Sequence, residues 1–60
     1  MKNWQEGYYY LHVNGQILWK PSILVDSDPN YFDSPYVVKY WYIDSQMSYN
    51  RMKAEAKELS

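Results

Sequence analysis

Apolar and polar positions fail to alternate over residues 8–21, YYYLHVNGQILWKP, where nearly every side chain away from Asn14-Gly15 is aliphatic or aromatic. Asn-Gly between two such runs is the strongest short-range signal for a β-hairpin, because a type I′ turn needs positive φ at both central positions. With a two-residue loop, Val13 faces Gln16, His12 faces Ile17, Leu11 faces Leu18, Tyr10 faces Trp19 and Tyr9 faces Lys20. Side chains alternate along a strand, so these pairs divide into two faces. One carries Tyr9, Leu11, Val13, Gln16, Leu18 and Lys20, aliphatic in the middle as a core face often is. The other is an aromatic ladder of Tyr8, Tyr10, His12, Ile17 and Trp19. Pro21 closes the second strand, where a missing N–H matters least.

The middle of the chain, SILVDSDPNYFDSP over 22–35, is less regular. Ile23-Leu24-Val25 is short enough to extend the sheet or to pack beneath it. Asp26 to Asn30 is a cluster of turn formers. Ser34-Pro35 fits a helix start, with Ser as N-cap and Pro at the first helical position. The following YVVKYWYI instead has the β-branched and aromatic composition of a strand. Residues 35–43 are therefore a third strand or a short helix, with composition tilting toward the strand. As a strand, they place Tyr36, Val38, Tyr40 and Tyr42 on one face. After Asp44-Ser45, which supplies an N-cap, helix formers dominate to the end. Tyr49, Met52, Ala56 and Leu59 fall at spacings of three, four and three, the apolar stripe of a helix over about 45–59.

Sixty residues make one domain, residues 1–60. A chain this short buries only about 60% of the surface its unfolded form exposes, and small scaffolds commonly need a disulfide, a metal or association. There is no cysteine, which excludes disulfides and thiolate metal sites and suits a reducing compartment. Aromatic content of 20% argues against disorder. No apolar run reaches the ~18 residues of a membrane span, and the first residues lack the apolar core of a signal peptide. A soluble protein of the cytoplasm is expected.

Candidate chemistry is sparse. Asp26, Asp28 and Asp33 resemble the start of a calcium loop, but the central glycine and the final bidentate glutamate of such loops are missing. His12 is the only side chain that titrates near neutrality unperturbed, and no nucleophile motif or neighbouring carboxylate accompanies it. The two glycines, at 7 and 15, form no phosphate loop. No enzyme, cofactor, metal site or small-molecule substrate is expected. Stacked tyrosine and tryptophan on a sheet also suit single-stranded nucleic acid. A net charge of −1, with only Lys2, Lys20 and Lys39 near the aromatics, supplies little of the attraction to phosphate that such binding needs.

Two segments, YYYLHVNGQILWKP and DPNYFDSPYVVKYW, together resemble small uncharacterised proteins encoded by bacteriophages and prophages. The shared pattern is a tyrosine-rich strand, an Asn-Gly turn, an apolar stretch ending in Lys-Pro, and a Ser-Pro-aromatic-Val segment leading to Trp. Here it falls on Tyr9, Asn14, Gly15, Lys20, Pro21, Ser34, Pro35, Tyr36, Val37 and Trp41. The resemblance covers about two thirds of the chain and fades in the C-terminal helix. It implies a phage or prophage accessory protein in a bacterial host cytoplasm, and it brings no activity and no functional residues with it.

The expectation is an α+β domain with the hairpin covered on its Leu11/Val13/Leu18 face by the C-terminal helix. The Tyr8/Tyr10/His12/Ile17/Trp19 face has no evident cover, and large exposed apolar patches mark interaction sites. A non-enzymatic interaction protein is the expected function, meeting a bacterial host protein or a second copy of itself through that face. A single-stranded nucleic-acid module is the alternative. In the other possible arrangement, residues 22–43 fold over the aromatic ladder and bury it.

Overall fold

The computed structural model describes residues 3–59, in which five elements follow one another. They are β1 (Gly7–His12), β2 (Ile17–Lys20), α1 (Ser22–Asp26), β3 (Val37–Ile43) and α2 (Gln46–Leu59). The strands form one antiparallel sheet in the order β2-β1-β3, with the tyrosine-rich β1 in the centre. The expected α+β class, hairpin and C-terminal helix are all present. Among the described residues no helix is long and apolar enough to cross a membrane.

Residues 37–43 are a strand. Ser34-Pro35 does not open a helix; the Ser34 hydroxyl accepts the Tyr36 N–H at 3.2 Å and its carbonyl accepts the Val37 N–H at 3.2 Å. Those bonds make a turn that delivers Val37 to the free edge of β1, where the β-branched and aromatic run pairs. The register then skips Val38, since His12 pairs with Val37 and Leu11 with Lys39. That irregularity is a β-bulge. Of the two expectations for Ile23-Leu24-Val25, the run does not extend the sheet; it lies in the short helix α1 behind Pro21, which touches β1 while leaving Ile23 and Leu24 exposed.

The hairpin corrects the expected register by one residue. Tyr8 pairs with Lys20, Tyr9 with Trp19, Tyr10 with Leu18 and Leu11 with Ile17. The His12 N–H donates to the Gln16 carbonyl at 2.8 Å, and the His12 carbonyl accepts the Gly15 N–H at 2.9 Å, so Val13, Asn14 and Gly15 form a three-residue loop. A type I′ turn would put Asn14 at positive φ, yet among the described residues none other than glycine has positive φ. Within this turn only Gly15 does so, at +93°. Local polar groups hold this wider turn: the Asn14 side-chain oxygen accepts the Gln16 N–H at 2.9 Å, and His12 Nδ1 accepts the Asn14 N–H at 3.1 Å.

A one-residue slip moves a whole strand's side chains to the opposite face. Ile17 and Trp19 therefore join Tyr9 and Leu11 under α2, together with Trp41 and Ile43 of β3. Leu18, expected in the core, lies on the other face and is exposed, and Val13 sits exposed in the turn. Leu11, Ile43, Met52 and Ala56 are the buried apolar residues among those described, none more than 3% exposed. Tyr49 of α2 packs edge-on to Tyr9, with ring centroids 5.7 Å apart. The predicted helix stripe thus holds for Tyr49, Met52 and Ala56, while Leu59 at the helix end is exposed. Lys39 reaches from β3 to Glu55 at 2.7 Å and lies 5.6 Å over the Trp41 ring, closing the helix side along β3.

Candidate interaction face

The face of the sheet turned away from α2 carries Tyr8, Tyr10 and His12 from β1, Leu18 and Lys20 from β2, and Tyr40 and Tyr42 from β3. Of the five residues expected to form one surface, three remain together. Ile17 and Trp19 are on the helix side, and the Trp19 Nε1–H donates to the Glu6 carbonyl at 3.3 Å. The tyrosines of β3 take their places. Their spacing at 40 and 42 was visible in the sequence, but nothing local to it set them beside Tyr8 and Tyr10.

Phe32, from the connection between α1 and β3, sits on this face. Its ring lies 4.6 Å from that of Tyr40 in a stacked pair, 5.2 Å from Tyr10 and 6.0 Å from Tyr8. Tyr36 stacks on His12 at 5.9 Å, and Tyr8 meets Tyr42 at 5.1 Å. Tilted and offset aromatic pairs contribute beyond their buried area. These contacts make a second, aromatic layer that the connection closes over Tyr8, Tyr10 and His12, all half-buried. Closure stops at β3. Tyr40 is 51% exposed, Tyr42 47% and Tyr36 61%. The anticipated cover by residues 22–43 is thus half achieved, and the open part of the face has moved from the hairpin to β3.

The polar rim of this face is acidic. Asp26 accepts the Tyr8 hydroxyl at 3.3 Å, and Glu6 accepts the Tyr42 hydroxyl at 2.6 Å. Asp26, Asp28 and Asp33 border a groove of about 530 Å³ floored by Tyr8, Phe32 and Tyr40. Among the described residues no three His, Cys, Asp or Glu side chains converge to hold a metal ion. Asp28 instead accepts the backbone N–H of Asn30 at 3.0 Å, a turn role. Acidic groups beside the tyrosines repel a phosphate backbone. Of the cations counted in favour of nucleic acid, Lys39 is engaged by Glu55 and Lys2 lies outside the described residues. His12 spends Nδ1 on the turn and its ring on Tyr36.

Among the described residues, hydrogen bonding and burial shift three groups. The bond to Glu6, then desolvation, pushes the Tyr42 phenol up to about 12 from an ordinary 10.0. Tyr8 is raised by desolvation first and by Asp26 second. Glu55 is lowered chiefly by its bond to Lys39. The nearby Trp41 indole N–H, buried and without a completed hydrogen bond, adds to that lowering.

For Tyr42, the folded protein favours the protonated phenol. Its stabilisation is therefore whole below the unfolded value of 10.0 and is lost as pH rises toward about 12. Absorbance titration of tyrosinate should show a phenol ionising near 12 that moves back toward 10.0 in Glu6→Ala. Superimposable wild-type and variant curves would exclude the Glu6 bond as the cause. No known protein family, curated protein or solved structure matches the chain.

Proposed function

We propose that this chain is a non-enzymatic interaction protein, binding a bacterial host protein or another copy of itself, of the phage or prophage accessory type that its sequence resembles. Its setting on this reading is the cytoplasm of the bacterial host. The observation that carries the binding role is the open side of the aromatic layer, where Tyr36, Tyr40 and Tyr42 are each about half exposed or more. Tyrosine combines large contact area with a polar tip and is enriched where binding energy concentrates. Tyr40 and Tyr42 both meet Tyr8, and Tyr36 stacks on His12 further along the same face, so the three exposed rings belong to one aromatic layer rather than to scattered exposure.

The test uses the immobilised chain challenged with bacterial lysate and, separately, with untagged copies of itself. Wild type should retain one or the other, and Tyr36→Ser/Tyr40→Ser should lose it while keeping its circular dichroism spectrum. These positions replace Trp19 as the informative ones, because Trp19 packs on the helix side and its loss would act on the fold. Equal retention by the double variant, or none by wild type, would overturn the reading.

A further inference from the structure

We infer that β3 pairs with β3 of a second copy, joining two sheets into one of six strands. The inference rests on the interaction reading above and names its partner. It starts from the direction of the backbone groups. In an antiparallel strand, successive residues point their N–H and C=O alternately to one neighbour and then to the other. The His12 N–H goes to Gln16 on the β2 side, and the Val13 N–H goes to Tyr36 on the β3 side. Counting back along β1, Leu11, Tyr9 and Gly7 address β3, where their partners are Lys39, Trp41 and Ile43. Beyond the bulge at Val38, the backbones of Tyr40 and Tyr42 therefore point away from the sheet, and β3 is an edge with no strand beyond it among the described residues.

Native edges are guarded by charge, proline, strong bulges or brevity. β3 is seven residues long with no proline, and its bulge lies at one end. Its single charge, Lys39, is drawn onto Glu55 and Trp41 and does not guard the edge. The complement of such an edge is another strand, and this one complements itself.

Antiparallel pairing about a two-fold axis at Tyr40 sets Tyr40 opposite Tyr40, so that its outward N–H and C=O pair with those of its own copy, and brings Tyr42 opposite the bulged end at Val38. Lys39 then lies opposite the apolar Trp41 and not opposite its own copy. The two helices fall on the same side of the joined sheet, and the two aromatic layers become continuous on the other. A net charge of −1 opposes this little. With four buried apolar side chains among the described residues and no disulfide, the chain has the small core for which association is the common remedy.

Sedimentation equilibrium of the full chain should show a species of twice the 7.3 kDa chain mass, forming in the micromolar range. Tyr40→Pro removes the N–H at the axis without costing a bond to β1, and Tyr40→Lys sets like charges face to face. Each should raise the dimer dissociation constant by about tenfold or more. Ile23→Lys, exposed in α1 and outside the strand, should leave it unchanged. Circular dichroism checks that each variant is folded; if the proline variant is not, the lysine variant decides. A monomer at every concentration, or a dimer that tolerates Tyr40→Lys, overturns the pairing. A monomer whose retention of a host protein still depends on Tyr36 and Tyr40 would overturn this inference alone and leave the interaction reading standing.

Discussion

Gly7→Ala is expected to unfold a large share of the protein at room temperature. Gly7 opens β1 at φ +145°, a conformation that side chains other than glycine's rarely adopt. A Cβ there would lie 2.6 Å from Trp19 Nε1 and 2.9 Å from the Lys20 carbonyl oxygen. Neither neighbour yields cheaply, because one is backbone and the other belongs to a rigid ring whose N–H is bonded to Glu6. Backbone strain costs about 1–3 kcal/mol and overpacking a similar amount, so the sum is about 2–6 kcal/mol. At about 0.05–0.15 kcal/mol per residue, a domain of this size has about 3–9 kcal/mol to lose. Urea denaturation followed by tryptophan fluorescence, at fixed protein concentration because association would shift the midpoint, measures the loss. A midpoint within error of wild type would show that the strand entry relaxes and that Trp19 does not lie across Gly7.

The second large effect lies in α2, which carries two methionines with opposite fates. Met52 is 0% exposed and Met47 is 70% exposed. Met52→Ala leaves a cavity between helix and sheet and should cost about 2–5 kcal/mol. Met47→Ala should change stability by no more than about 0.5 kcal/mol. Both substitutions place the same residue in the same helix, so helix propensity cancels and burial alone separates them. Equal losses in the two variants would mean that α2 does not cover the sheet through its Met52 stripe.

The bulk of this fold was legible along the chain. Asn14-Gly15 marked the reversal, the run from Val37 to Ile43 carried strand composition, and Tyr49, Met52 and Ala56 announced which side of the last helix is apolar. The candidate face was legible only in part. Tyr8, Tyr10 and His12 were placed together correctly because they belong to one strand and alternate with Tyr9 and Leu11. Ile17 and Trp19 were assigned to it through an assumed loop of two residues, and the loop has three. Phe32 was invisible as a participant, since a residue in an irregular connection has no period to reveal where it will land.

What the amino-acid sequence by itself determined is therefore the type and order of the main elements, because turn chemistry, strand composition and helical spacing act over a few neighbouring residues. Only the tertiary structure decided the register of the hairpin, the placement of Trp19 under the helix and the transfer of the open aromatic surface to β3. Those outcomes depend on burial shared among distant segments. Both faces of β1 and β2 are apolar enough to be buried, so hydrophobic pattern could not choose between registers one residue apart. The choice falls to nonlocal packing, with Trp19 over Gly7 and Ile17 beside Leu11, and to the side-chain bonds of Asn14 and His12 that hold the wider turn.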